Sequence, residues 1–170
     1  MPDFIDLATG TVARDTWQIV GADDAAIGAG ADTAVLPLAD WLARGALASR
    51  VWLAPDADVN LLRGRVAALE LIALHMPKAA DGRVFSQAAL LRGRLGFGGT
   101  LRVFGDVLID QLLALRRVGV ASVVLPAHRM QQRKAITRAL KAFSDAYQGA
   151  HDNPLPAWRR HLRPSAEPSR

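Results

Sequence analysis

Short apolar runs alternate with amphipathic stretches along most of the chain. Each run is three to seven residues long and is bounded by glycine, proline or polar residues. Runs of this length between turn residues are typical of buried strands, whereas apolar residues three or four positions apart indicate helices. The pattern predicts strands over 17–20, 34–36, 50–53, 69–75, 101–104 and 120–125, and helices over 38–45, 87–95, 106–118 and 128–147. The last helix carries an apolar stripe at Ile136, Leu140, Phe143 and Tyr147.

Strands that alternate with helices favour parallel pairing, because two parallel neighbours need a long crossover connection between them. Residues 122–125 also lack the in-and-out alternation of a half-exposed strand, as expected for a strand covered on both faces. We therefore expect an α/β fold, with about five strands in one mostly parallel sheet and crossover helices. An open three-layer arrangement and a partial barrel fit the pattern equally well.

The predicted single domain spans residues 1–148, and a basic tail follows over residues 149–170. The tail contains four prolines and four arginines, which favour an extended or disordered segment. Trp158 is a candidate anchor for it.

Composition excludes several classes of protein. The 170 residues are 51% hydrophobic and 22% charged, which is too apolar for a disordered chain. The longest apolar runs are about half of the roughly 20 residues that a membrane-spanning helix needs. The N-terminus lacks the basic start and apolar stretch of a secretory signal, so we expect a cytoplasmic protein that does not bind membranes.

Cofactor signatures are also missing from the sequence. The chain has no cysteine, which excludes disulfides and cysteine-bound iron–sulfur clusters within it. It has neither a GxGxxG nor a GxxxxGK[ST] motif, and its histidines lack the HExxH spacing of zinc enzymes. We therefore expect no cofactor and no metal, and we leave open whether the protein is an enzyme.

Charge is distributed unevenly along the chain. Residues 1–60 carry nine acids and three bases, whereas residues 61–170 carry eighteen bases and seven acids. A basic half of the chain can bind an anionic partner. It can equally be the basic surface of one part of a single domain. Nucleic acid is an improbable partner, because the sequence has no aromatic-rich basic strand and no helix-turn-helix signature.

Candidate chemistry lies where predicted strands end, because parallel α/β folds bind ligands at the carboxyl ends of their strands. After the strand at 69–75 come Asp81, Arg83 and Ser86. A helix N-terminus beside an arginine suits a carboxylate, sulfite or phosphate group. The structural alternative is that Asp81 forms a turn, Ser86 caps the helix and Arg83 pairs with a neighbouring acid.

The strand at 101–104 leads into a second candidate group, formed by Asp106, Asp110 and Gln111. Asp106 and Asp110 are four residues apart and should share a helical face, where they would need a cation or an arginine such as Arg83 or Arg102 between them. A general base or a metal site is the functional interpretation, and a helix cap is the structural one.

Residues 82–105 contain four arginines and no acid. Arg92 lies on a predicted helix, where it could meet solvent, the acidic first sixty residues or a partner. Together with the two groups above, the candidate ligand- or partner-binding residues are Asp81, Arg83, Ser86, Arg92, Arg102, Asp106, Asp110 and Gln111.

Several blocks of sequence carry a family resemblance. The stretches DGRVFSQAALLR at 81–92, LGFGGTLR at 95–102, GDVL at 105–108 and DQ at 110–111 resemble bacterial domain-of-unknown-function family 934. The family's usual pattern differs at Val84, Gly93 and Ile109. Members of this family are commonly encoded beside assimilatory sulfite or nitrite reductase. The resemblance therefore implies a role in sulfur or nitrite assimilation.

Three hypotheses follow for the function. The first is an accessory protein of assimilatory sulfite reduction that binds the sulfite or nitrite reductase or an associated redox protein. The second is an enzyme that binds a small anion at the strand ends. The third, a remote one, is a nucleic-acid binder. The first needs no cofactor chemistry that the sequence lacks, and for that reason we favour it.

Overall fold

Eight strands form one curled sheet, a half-barrel, in this computed structural model. The structure describes residues 3–14, 16–21, 33–45, 48–142, 148–156 and 159. The order across the sheet is β2-β1-β8-β7-β6-β5-β4-β3. The strands are β1 (Asp3–Asp6), β2 (Val12–Arg14), β3 (Gln18–Ile19), β4 (Ala34–Pro37), β5 (Arg50–Leu53), β6 (Leu71–Met76), β7 (Thr100–Gly105) and β8 (Ser122–Val124).

The sheet is mixed, because one strand, β1, runs in the opposite direction to the other seven. Strands β3 to β8 pair in parallel, whereas β1 runs antiparallel to both β2 and β8. The predicted α/β class and single domain are confirmed. The prediction of about five strands in a mostly parallel sheet is wrong, because it missed the N-terminal hairpin of β1 and β2.

Five α-helices and three 3₁₀ turns connect the strands in the described part of the chain. The predicted helix over 128–147 is interrupted at Gln131 and Gln132, so its apolar stripe begins only after this break. Two residues of the stripe, Phe143 and Tyr147, lie outside the described residues. The helices are α1 (Leu38–Ala43), α2 (Arg83–Gly93), α3 (Leu112–Arg117), α4 (Ala127–Met130) and α5 (Arg133–Lys141), and the 3₁₀ turns are Val59–Leu62, Val66–Ala68 and Ile109–Gln111.

The main core lies between the sheet and the helices. Alternate residues of β6, Ile72, Leu74 and Met76, are fully buried there, and α5 adds Ile136 and Leu140. Each buried side chain of this size stabilises the fold by about 1.5–3 kcal/mol.

A smaller apolar cluster covers the opposite face of the sheet. It contains Leu71 and Ala73 of β6 with Trp52 and Phe104 from the strands on either side. No described helix contributes a side chain to it. The described helices therefore pack on one face, which matches the partial barrel rather than the three-layer arrangement.

Residues 148–156 lie against α3. Arg116 Nε is 3.4 Å from the Asp152 carboxylate, Arg117 donates a hydrogen bond to the Gln148 carbonyl at 3.2 Å, and the His151 N–H donates to the Arg117 carbonyl at 2.9 Å. The start of the predicted tail thus contacts the α/β domain, and Trp158 lies outside the described residues. Among the helices that the structure describes, none has the length and apolar character to cross a bilayer.

Candidate functional site

At the carboxyl edge of the sheet, the last residues of β6 and β7, Met76 and Gly105, are register partners. Gly105 ends β7 with φ +113°, and the next residue, Asp106, donates its N–H to the Met76 carbonyl at 2.7 Å. A Cβ at position 105 would lie 2.3 Å from that carbonyl oxygen, well inside contact distance. Glycine at this position is therefore required for the approach that sets Asp106 at the sheet edge.

Asp106 ties two loops to this edge. Its carboxylate accepts a hydrogen bond from the Ala79 N–H at 3.2 Å and a charged one from the Arg129 guanidinium. Arg129 also donates to the Val107 carbonyl at 2.9 Å. The hydrogen bonds from Arg129 and then from Ala79 hold the pKa of Asp106 below its usual value.

The predicted roles of Asp106 as helix cap and of Asp110 as its helical neighbour are wrong. Asp106 lies before the 3₁₀ turn at Ile109–Gln111, so the two carboxylates do not share a helix, and Asp110 is exposed. The arginine beside Asp106 is Arg129, not Arg83 or Arg102, because the strand end of β8 brings the chain back to this edge.

Gln111 completes the connection between the two loops. Its side-chain amide donates to the Ala79 carbonyl at 2.8 Å and accepts the Leu108 N–H at 3.0 Å. Ala79 therefore bonds through its N–H to Asp106 and through its carbonyl to Gln111. The position of the β6–α2 loop depends on both side chains.

Asp81 and Arg83 form an ion pair within one turn. The Arg83 Nε and Nη2 atoms donate to the two oxygens of Asp81 at 2.9 and 2.6 Å. The hydrogen bond from the Arg83 side chain, chiefly, lowers the pKa of Asp81 to about 2. The structural alternative for this pair is confirmed. The predicted cap by Ser86 is wrong, because α2 already starts at Arg83 and Ser86 lies exposed inside it.

Arg92 is a structural residue of the fold. Its guanidinium donates to the carbonyls of Phe97, Gly99 and Gly119, the last two at 2.9 Å. Burial lowers its pKa. These three bonds fasten the end of α2 to the turn before β7 and to the turn after α3.

Arg102 lies on the face of the sheet opposite the helices, away from the carboxyl-edge groups. Its Nε donates to the Ser122 hydroxyl at 2.9 Å, and its guanidinium carbon lies 4.3 Å from the centre of the Phe4 ring. The side chain is 5% exposed, and burial lowers its pKa to about 10. Arg102 therefore contacts β8 and Phe4 of β1.

Two arrangements on this molecule escaped the sequence analysis. The His75 ring stacks on Phe104, with centroids 4.8 Å apart, and Trp52 meets both edge-on. Gln87 is 5% exposed and donates from its side-chain amide to the Ala54 carbonyl at 2.9 Å. The register of the strands brings the three rings together. In the sequence, only the alternation of side chains between the two faces of β6 and β7 could have indicated this contact.

Helix α5 presents the largest concentration of positive charge in the described residues. Four basic side chains of this helix are exposed, and none of the acids that the structure describes forms a salt bridge with them. The cause lies in the sequence, because residues 111–144 contain no Asp or Glu. We call this surface the α5 cationic face: Arg133, Lys134, Arg138 and Lys141.

Six of the eight candidate residues lie in three places, and the other two, Ser86 and Asp110, are exposed. Asp81, Arg83, Asp106 and Gln111 lie at the carboxyl edge, Arg92 lies beneath the end of α2, and Arg102 lies across the sheet. No group of three or more His, Asp or Glu side chains within the described ranges is arranged to hold a metal ion.

Comparison with models of known protein families gives a match to a bacterial family. The model of the family described as "Bacterial protein of unknown function (DUF934)" matches residues 50–158, from β5 through the segment that contacts α3. The match includes every candidate residue and the α5 cationic face. No curated protein matches the chain.

Proposed function

The chain belongs to this bacterial family, and on that premise we propose that it is an accessory protein of assimilatory sulfite reduction that binds a reductase or an associated redox protein. The family resemblance is the support for the pathway in this proposal. The surface of α5 supplies the mode of binding.

The observation that carries the proposal is the α5 cationic face. Four exposed cations on nine helical residues, with no salt bridge to the described acids, attract an acidic protein surface and steer its approach. The other arginines of the carboxyl edge do not contribute in this way, because Arg83 and Arg129 each pair with a carboxylate.

The chemistry of the sequence agrees with an accessory role. Without cysteine, this chain offers no thiolate to an iron–sulfur cluster, and it carries no nicotinamide or flavin fingerprint. A protein of this kind contributes to reduction by binding and positioning the redox protein that transfers the electrons.

Charge reversal on α5 tests the proposal. Lys134→Glu combined with Arg138→Glu should weaken binding to purified sulfite reductase at low salt. Each reversal costs about 1 kcal/mol at an exposed rim, so the pair should raise Kd about thirtyfold. Binding by the unchanged chain should also weaken as salt is added.

The matched control is Arg65→Glu combined with Arg94→Glu, which changes net charge equally at exposed positions away from α5. This control should leave Kd nearly unchanged. Equal weakening by both double variants, or no complex with the reductase at low salt, would overturn the proposal.

Gene deletion tests the pathway separately. A deletion strain should grow poorly with sulfate or sulfite as its sulfur source and normally with cysteine. Normal growth of that strain on sulfate would count against a role in assimilatory sulfite reduction.

The alternative, an enzyme that binds a small anion at the carboxyl edge, has weaker support. An incoming sulfite ion would have to compete with Asp81 for Arg83 and with Asp106 for Arg129. Calorimetric titration with sulfite separates the two hypotheses. Saturable binding that Arg83→Gln abolishes would favour the enzyme over the accessory protein.

A further inference from the structure

A groove runs beside the α5 cationic face, between α5 and the segment that precedes α3. Its volume is about 620 Å³. Small alanines form the wall on α5, and larger half-buried side chains form the opposite wall. The apolar lining residues are Leu108, Ile109, Leu113, Ala135, Ala139 and Ala142.

Three different faces of α5 explain why the groove exists. Ile136 and Leu140 point into the core and are buried, and the α5 cationic face points to solvent. Ala135 and Ala139 lie between these two faces, where a methyl group leaves room that a longer side chain would fill. A helix approaching this wall can come close to the α5 backbone.

Charge around the groove favours an acidic occupant. Arg138 lines the rim, and Lys134 and Lys141 stand one helical step away on the α5 cationic face. Asp110 is the one acid in the lining of this groove. An occupant therefore needs apolar residues for the floor and carboxylates for the side facing α5.

The chain's own C-terminal residues are a poor match for these requirements. Residues 157–170 contain four arginines and one glutamate, so their net charge has the same sign as that of the α5 cationic face. Because like charges repel each other, this segment would be a weak occupant of the groove.

We propose that this groove binds an amphipathic helix of the protein partner, with apolar residues on one stripe and carboxylates beside it. The inference rests on the proposed function for the existence of a partner, and it adds how that partner is recognised. Helix-in-groove binding places apolar anchors at every third or fourth position in such a site, and flanking charges then fix its orientation.

Two glutamate variants on α5 separate groove binding from plain charge attraction. Ala139→Glu places a carboxylate in the groove, and Thr137→Glu places the same charge on the exposed side of the helix. If the groove is the site, Ala139→Glu should raise Kd more than about tenfold, because it buries an unpaired charge against the apolar stripe. Thr137→Glu should raise it only about twofold.

The probe is a synthetic helical peptide with leucines along one stripe and glutamates beside it, measured by fluorescence anisotropy against the full chain. A peptide of the same composition in scrambled order is the control for charge alone. Ala135→Glu provides a second groove variant, and a thermal melt checks that each variant is folded. Equal loss of binding in Thr137→Glu and Ala139→Glu, or equal binding of both peptides, overturns the proposal.

Purified sulfite reductase in the same assay distinguishes this inference from the proposed function. Binding of the peptide without binding of the reductase supports the groove and refutes the reductase as partner. If the reductase binds and Ala139→Glu leaves that binding unchanged, the groove is refuted as the binding site and the accessory role is supported. If the chain alone forms a dimer and Ala139→Glu abolishes that dimer, the occupant of the groove is a second copy of the chain. That result would overturn the proposal.

Discussion

Gly105 offers the sharpest test of how the carboxyl edge is built, through the substitution Gly105→Ala. The new Cβ would stand 2.3 Å from the Met76 carbonyl oxygen, and ordinary contacts begin at 3.4 Å. The end of β7 would therefore have to retreat from β6 by about 1 Å. That retreat breaks the 2.7 Å hydrogen bond from the Asp106 N–H to Met76.

Two costs add up in this variant. Holding an alanine at φ +113° costs about 1–3 kcal/mol, because L side chains rarely adopt that backbone conformation. Losing the hydrogen bond and leaving its groups poorly paired costs about 1–2 kcal/mol more. The total is about 2–5 kcal/mol, and its midpoint lowers Tm by about 10 °C in a domain of this size.

Gly96→Ala is the matched control for this measurement. Gly96 also has positive φ, +66°, but nothing lies within 4 Å of the Cβ it would gain. Backbone strain alone predicts about 1–2 kcal/mol and a fall in Tm of about 3–5 °C. Thermal unfolding followed by circular dichroism measures both variants. Equal falls in Tm at the two positions would refute the argument that strand proximity at Gly105 sets this edge.

Two further predictions concern the paired arginines. Arg92→Met keeps most of the side-chain volume but leaves three carbonyls without their hydrogen-bond donor. It should lower the free energy of unfolding, measured in urea, by about 3 kcal/mol. The control Arg94→Met, at an exposed position, should lower it by less than about 0.5 kcal/mol. Asp81 has a pKa of about 2 in the folded chain against 3.8 normally, so its pairing with Arg83 stabilises the fold above pH 3.8 and is lost as pH falls towards 2. Asp81→Asn should therefore flatten the dependence of Tm on pH between 4 and 2, and an unchanged slope would contradict the ion pair.

Strands β5 to β8 could be predicted because each is a mostly apolar run with a clear boundary. Leu71 to Met76 and the strand that ends at Gly105 are examples. The hairpin of β1 and β2 could not, because Asp3 and Asp6 flank only two apolar residues and the partner of Ile5 is the distant Val123. The local pattern of apolar and polar residues does not indicate a strand whose pairing partner is far away in the sequence.

The candidate site was predictable only as far as topology determines it. Parallel strands place Asp81, Asp106 and Gln111 at one edge, and the structure has them there. The partner of Asp106 could not be identified, because no spacing rule connects it to Arg129 across a strand and a turn. The break in the last helix has no glycine or proline to signal it, and it lies directly after the short helix that carries Arg129.

The pairing of the first strand with the last has a consequence for how the chain folds during synthesis. Ile5 and Val123 are register partners, so β1 leaves the ribosome long before the strand it will join exists. Contacts of such separation slow folding, because a large loop must close first.

Until β8 is made, the hairpin of β1 and β2 has no sheet to complete. A two-stranded hairpin alone is marginal in water. The parallel strands β4 to β7 must then assemble without their final neighbour, and the edge of β7 stays open to wrong partners. The hairpin of β1 and β2 is therefore among the last parts to reach its place, and it covers the edge strand β8 when it does.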